Sequence, residues 1–143
     1  MSEIGWYKSI IRLAKLRAYS SNVEANPSFQ LLKRSLEILA QEHDGTLTNY
    51  VTDSLGRRTA CDLAITTADF SRGVGIKIDK NTGEVTFLYD QYGGYGQAAR
   101  KITEEITQNY VAIALIRAMK SLGYDVEEER SKERATVVLV GRV

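Results

Sequence analysis

The sequence predicts one α+β domain: an antiparallel sheet of five to six strands with helices packed on one face, a ferredoxin-like variant. Its 143 residues, 43% apolar and 26% charged, are typical of a single globular domain with its own core. Apolar residues recur with a helical period in residues 29–42 and 96–122, and with a period of two in residues 46–90. Short turns between successive strands favour antiparallel pairing. We expect residues 1–143 to form this domain.

The first segment fits two structures. Apolar residues at helical spacing, with basic residues on another side, favour an amphipathic helix over residues 4–19. Ile4, Trp6 and the residues after them also fit an edge strand. The helix is the favoured interpretation, and we expect residues 1–22 to form a peripheral helix or arm of the domain.

The next helix is predicted over residues 29–42. Ser28 is the predicted amino-terminal cap, after a loop at Asn26-Pro27. His43 falls in the last turn, and Gly45 is expected to take the left-handed conformation that closes the helix. The predicted buried positions have helical spacing: Phe29, Leu32, Leu36 and Leu39.

Four strands follow. "TLTNYV" and "TACDLAITT" are joined by a turn at residues 53–58. "VGIKIDK" and "EVTFLYD" form a hairpin around the tight turn "KNTGE". Each strand of this hairpin alternates, so one face carries its apolar side chains: Val74, Ile76, Ile78, Val85, Phe87 and Tyr89.

A long helix is predicted from Gly96 to Leu122, ending at Gly123. Residues 111–116 are nearly all apolar, so we expect this half to be covered on most of its circumference. "YDVEEE" and "ATVVLVGRV" then form a closing hairpin.

Charge and composition narrow the function classes. The net charge of +1 argues against a duplex nucleic-acid binder, although a basic start and an acidic segment at residues 125–129 separate the charges. The single cysteine, Cys61, excludes an intramolecular disulfide and a cysteine zinc site, and no cofactor is expected. No signal-peptide pattern and no apolar run of about 18 residues occur, so we expect a cytoplasmic protein without a membrane span.

The stretch between the last strand of the hairpin and the long helix is the main candidate site. Its residues are Tyr92, Gly94, Tyr95 and Gly96, with Arg100 one turn into the helix. Glycine N–H groups and a helix amino-terminus hold phosphates or carboxylates, and tyrosines stack on rings. The glycine spacing fits neither a P-loop nor the dinucleotide fingerprint, so the favoured interpretation is a chain reversal whose tyrosines cover the sheet, and a ligand or partner surface is the alternative.

No catalytic or metal-binding set is visible in the sequence. Asp62 faces away from Cys61 and Leu63 on its strand, either solvated or paired with Arg57 or Arg58. Gln108 either binds another chain or locks the long helix onto its sheet. The aspartates lack metal-loop spacing, and no nucleophile, base and oxyanion donor occur together.

A second set of residues would serve nucleic-acid or nucleotide binding. Aromatic stacking combined with positive charge binds single strands. The candidates for this role are basic or aromatic: Trp6, Lys8, Arg12, Lys15, Arg72 and Lys77.

Three stretches of the carboxyl-terminal half carry a family resemblance. "CDLAI", "GVGIKIDKNTGEVTFLYD" and "ITQNYVAIALIRAMKSLGYDVEEE" resemble family 1257 of the domains of unknown function. That family includes the plastid proteins called hypothetical chloroplast reading frame 35. Where its members carry tryptophans before the long helix, this chain has tyrosines and glycines at residues 91–97. The resemblance implies a small module that works with other proteins and no established catalytic residue.

Together these features predict a non-catalytic protein-interaction or assembly module. Its partner would be another protein or a second copy of the chain, and nucleic acid is the second choice. The free sheet face or the closing hairpin would supply the interface.

Overall fold

The computed structural model describes residues 4–14, 22–94, 96–131 and 136–142. The elements in these ranges confirm the α+β class. In chain order they are β1 (Ile4–Arg12), α1 (Pro27–Glu42), β2 (Thr46–Thr52), β3 (Arg58–Thr66), β4 (Val74–Ile78), β5 (Glu84–Asp90), α2 (Gly96–Ser121), β6 (Asp125–Ser131) and β7 (Thr136–Arg142).

The main sheet has five antiparallel strands in the order β1-β5-β4-β3-β2. Strands β2 to β5 therefore form a meander, and β1 joins it beside the last of them. The closing hairpin, β6 and β7, forms a separate two-stranded sheet. The antiparallel sheet is confirmed, whereas a ferredoxin-like topology is not.

The helix predicted over residues 4–19 is wrong for its first half, which is strand β1. Ile4 pairs with Asp90 and Lys8 with Thr86. The helical pattern used Ile10 as a core residue, but Ile10 is exposed while Ile11 is buried. A strand, with a period of two, fits these residues better because it turns Ile11 inward. Pairing with β5 also satisfies the backbone N–H and C=O groups along one edge of the strand.

A bulge interrupts the β1–β5 pairing between Lys8 and Arg12. The hydroxyl of Ser9 donates to the carbonyl of Val85 at 2.6 Å and accepts from the N–H of Ile11 at 3.1 Å. One side chain therefore replaces the ladder bonds that the bulge removes. The regular part of β1 is Ile4–Lys8.

Both ends of α1 are closed by residues next to the predicted ones. The Asn26 side chain, not Ser28, caps the amino-terminus, accepting from the N–H groups of Ser28 at 2.7 Å and Phe29 at 3.2 Å. Asn26 fits because Pro27 then opens the helix. His43 is the carboxyl-terminal cap, but Asp44 takes the left-handed conformation with φ 54°. Gly45 is required for space, since a Cβ there would meet the Thr66 carbonyl oxygen.

Both helices pack on one face of the main sheet, as predicted. The inward side chains of β4 and β5 meet those of α1 and α2 in one core. Leu32 and Leu36 of α1 are fully buried. The predicted inward set of the hairpin is confirmed as part of this core: Val74, Ile76, Ile78, Val85, Phe87 and Tyr89.

The opposite face carries a second, smaller apolar cluster. It consists of Val51, Cys61, Ala64 and Leu88. The register of β2 on β3 is irregular between Thr48 and Tyr50, beside Cys61. The thiol of Cys61 donates a hydrogen bond to the Leu63 carbonyl at 3.1 Å. Cys61 is therefore packed in this cluster, and burial raises the pKa of its thiol.

Helix α2 is longer than the sheet it covers. Its 26 residues span about 39 Å, whereas the seven residues of β5 span about 24 Å. The last buried residue of α2 is Ala112. The prediction that residues 111–116 are covered is wrong: Val111 and Leu115 are each 46% exposed, because the helix extends past the core.

Candidate functional site

The tyrosine-glycine stretch is a chain reversal held by the buried carboxylate of Asp90. This carboxylate accepts from the N–H groups of Tyr92 at 2.9 Å and Ser54 at 3.1 Å. Arg72 lies 3.4 Å from it and donates at 2.7 Å to the Tyr92 carbonyl. The turn is thus tied to the β2–β3 turn and to the loop before β4.

The predicted site residues of this turn differ in their surroundings. Tyr92 is half exposed. Gly94 has φ 85° with open space around it, so its backbone conformation favours glycine. Gly96 opens α2 beside Gln91, and Tyr95 lies outside the described residues. The N–H of Tyr92 faces Asp90 and is not available to an anion.

Asp62 is used by its own sheet. Its carboxylate accepts from the backbone N–H of Ile78 at 2.7 Å, just beyond the last paired residues of β3 and β4. The proposed pairing with Arg57 or Arg58 is wrong. Arg57 binds Asp53 at 2.6 Å, and the guanidinium of Arg58 lies 4.1 Å from the ring centroid of Tyr50. Asp53 lies closer along the turn and therefore takes the guanidinium of Arg57.

A groove lies between the edge strand and the long helix, with a volume of about 410 Å³. We call it the β1–α2 groove. Its floor includes Phe87, Tyr7 and Tyr89, and the last two rings are stacked. Its helical wall carries Arg100, Thr103, Glu104, Thr107 and Gln108. Two predicted residues, Arg100 and Gln108, therefore line one concave surface.

Lys8, Arg100 and Glu104 are the charged residues that line this groove, and Arg100 acts on the hydroxyl of Tyr89. Burial raises the pKa of the Tyr89 hydroxyl, as does Tyr7, while Arg100 acts in the opposite direction by charge and by a hydrogen bond. At the other end, the buried Oε1 of Gln108 accepts no hydrogen bond from any residue that the structure describes. The groove thus offers a cation, and one of its lining side chains holds a buried, unsatisfied acceptor.

A contiguous apolar stripe lies on the distal half of α2. It consists of Val111, Leu115, Ala118 and Leu122, all exposed and spaced by four, three and four residues. We call it the α2 stripe. Leu122 is 76% exposed. This spacing is visible in the sequence. It could not be singled out there, because isoleucines and alanines between these positions make most of the distal half of α2 apolar.

The basic-aromatic candidates fall into separate places. Lys8 and Lys77 both pair with Thr86, so the three share the sheet face opposite the helices, with Trp6 one row away. Arg12 donates to the Thr82 carbonyl at 2.9 Å. Arg72 is engaged with Asp90, and Lys15 lies outside the described residues. The structure therefore groups Trp6, Lys8 and Lys77 only.

Sequence patterns missed one side-chain hydrogen bond between the helices. His43 Nε2 of α1 lies 2.7 Å from Glu105 Oε2 of α2. Glu105 is buried, and its position on the inner side of α2 was the only signal for it. Through this pair the cap of α1 is joined to the middle of α2.

No group of three or more potential metal ligands occurs within the described ranges. In the same part of the chain, no helix is long and apolar enough to cross a membrane. Comparison with known proteins finds no matching family model, no matching curated protein and no matching solved structure.

Proposed function

We propose that this protein is a non-catalytic assembly module that pairs with a second copy of itself through the α2 stripe. The observation that carries this proposal is the exposure of Val111, Leu115 and Leu122 on a helix that extends past its own core. Large apolar side chains that lie in line on a surface mark an interaction site.

The spacing of the stripe suits another helix. Steps of four, three and four residues place Val111, Leu115, Ala118 and Leu122 along one seam, the repeat with which two helices interlock. Ala118 is small, which allows a second helix to approach closely near the centre of the seam. A sheet surface would not require this repeat.

The charges of this half of α2 permit a second copy. Arg117 and Lys120 are its charged residues, and both lie away from the stripe on the helix circumference. The positions that flank the seam are neutral: Ala112, Ala114, Met119 and Ser121. Identical helices can therefore meet along the seam without opposing like charges.

Light scattering after size-exclusion chromatography, over a range of loading concentrations, tests the proposal. We expect a mass of twice 16.0 kDa that dissociates on dilution. Leu115→Glu should give a monomer at every concentration, because it places a carboxylate in the seam. The control Arg117→Glu makes a larger charge change on the same helix and should leave the dimer intact. A wild-type monomer at the highest concentration would exclude the proposal.

Single-stranded nucleic acid is the second candidate ligand. The supporting observation is the shared face of Lys8, Thr86 and Lys77 beside Trp6, which is 55% exposed. Anisotropy of a labelled oligonucleotide at several salt concentrations tests it. Replacing both lysines by glutamine should reduce the salt slope by about 1.4, at roughly 0.7 per phosphate contact. Lys33→Gln, on exposed α1 surface, is the control.

A further inference from the structure

We propose that the β1–α2 groove binds an extended, acidic segment of another protein, which adds to β1 as a further strand of the main sheet. This surface differs from the α2 stripe, and its occupant is a different polypeptide. A monomeric variant such as Leu115→Glu would still be expected to bind the segment. The two proposals can therefore fail separately.

The edge of β1 supplies backbone hydrogen-bonding groups. Among the described strands, β1 pairs with β5 alone, so its other edge is unpaired. The regular part, Ile4–Lys8, ends at the bulge held by Ser9. An extended segment can pair with these five residues, and the bulge stops pairing beyond them.

The groove supplies space for side chains of the added strand. Successive side chains of a strand point to opposite faces, so every second one would enter the groove. Its volume of about 410 Å³ is within the range of small ligand sites. The stacked rings of Tyr7 and Tyr89, next to Phe87, give a floor on which an apolar side chain can rest.

Arg100 favours an acidic side chain at one end of the groove. Its guanidinium forms no ion pair within 4.0 Å with any carboxylate of the described residues, Glu104 one turn away included. It lies near the amino-terminus of α2, where the helix dipole is positive. Because Arg100 interacts with Tyr89, and the ring of Tyr89 stacks on Tyr7, this end lies beside the middle of β1.

Gln108 favours a hydrogen-bond donor at the other end. Its Oε1 is buried and accepts nothing from the residues that the structure describes. Buried carbonyl oxygens are almost always satisfied in folded proteins. A rotation of this side chain on binding would let an N–H of the bound segment satisfy it. A free small anion would use Arg100 but would leave both Gln108 and the β1 edge unpaired, so a polypeptide fits better.

Selection from a displayed library of random twelve-residue peptides on the immobilised protein tests this inference. We expect enriched peptides to share an acidic residue within a strand-forming sequence. A labelled synthetic copy is then measured by fluorescence anisotropy. Arg100→Ala should weaken binding at least tenfold, while Arg117→Ala, on the same helix outside the groove, should change it less than twofold. Arg100→Gln serves as a second variant if the alanine variant loses its circular dichroism spectrum.

Two further measurements assign the contact. Replacing the peptide's acidic residue by its amide should weaken binding to the wild-type protein as much as Arg100→Ala does. The same replacement should cause no further loss of binding to the Arg100→Ala variant. Hydrogen exchange should slow at residues 4–8 when the peptide binds. The inference is overturned if no peptide is enriched, if Arg100→Ala leaves binding unchanged, or if exchange slows only along the α2 stripe. It is also overturned if residues 4–8 are protected without peptide as protein concentration rises, since a second copy would then occupy the edge.

Discussion

The rings of Tyr7 and Tyr89 are stacked, with centroids 4.3 Å apart and planes inclined by 13°. Tyr7 comes from the edge strand and Tyr89 from its neighbour, so this contact holds β1 to the sheet at the point where α2 crosses. Phe70 meets Tyr89 edge-on at 6.5 Å and completes the aromatic cluster. The floor of the β1–α2 groove is therefore part of the core.

Removal of one ring should loosen the edge strand. Tyr7→Ala is expected to lower the free energy of unfolding by about 2 kcal/mol, through lost stacking and lost apolar burial. Urea denaturation followed by circular dichroism measures the change. Trp6→Ala, one residue away and about half exposed, should cost less than about 1 kcal/mol. Equal effects of the two changes would contradict the role of the stack.

The Asp90 carboxylate should be the costliest polar group to remove. Asp90→Ala leaves Arg72 without this acid and two backbone N–H groups without their acceptor, so we expect a loss of about 3–5 kcal/mol. Thermal and urea unfolding measure it. Asp69→Ala, in the loop before β4 and exposed, is the matched control and should be nearly neutral. A small effect at Asp90 would mean that the turn is held elsewhere.

The stability of the protein should fall in acid partly through Asp53. Burial acts to raise the pKa of this carboxyl, but hydrogen bonds from Arg57 and Leu55 outweigh it, so the pKa lies below 3.8. The unfolded state then binds protons first. The contribution is complete above pH 3.8 and is lost as the pH falls through the folded pKa.

Asp53→Asn isolates this contribution. Urea midpoints of the variant and the wild type should differ most at neutral pH and converge as the pH falls below 3.8. A constant difference across the acid range would show that Asp53 titrates alike in both states.

The two glycines of the turn should respond differently to alanine. Gly94 has φ 85°, where a side chain is strained, so Gly94→Ala should cost roughly 1–2 kcal/mol. Gly96 is the first residue of α2, and its φ is not positive. Gly96→Ala should therefore change stability by less than about 0.5 kcal/mol. Thermal denaturation of both variants checks the difference. Similar losses would show that the space beside Gln91, not backbone conformation, decides.

Most elements could be predicted from the sequence because their apolar periods are long and their turns carry glycine. The helices and the β4–β5 hairpin were predicted for this reason. Strand β1 was only the second of two predictions, because Ile10, Leu13 and Leu16 fit a helix as well as Ile11 and Leu13 fit a strand. Only the pairing with β5 decides between helix and strand. That pairing joins residues about 80 positions apart, and a local sequence pattern carries no information about it.

The candidate site was predicted in part. Arg100 and Gln108 were both named, and the structure brings them together in one groove. Tyr7 and Tyr89 were not linked to them, because they reach the groove only after β1 takes its place at the edge. Asp62 looked free on its strand, yet the irregular edge of β3 turns its carboxylate to a backbone N–H. Local departures from regular pairing are set by tertiary packing.

The position of Trp6 makes the protein its own optical probe. It is the single tryptophan of the chain and lies half exposed on the edge strand. Its indole emission in the unbound protein therefore reports water at that edge. Any polypeptide that covers the strand will shift this emission to shorter wavelength, so occupancy can be followed without a dye, a tag or a change of sequence.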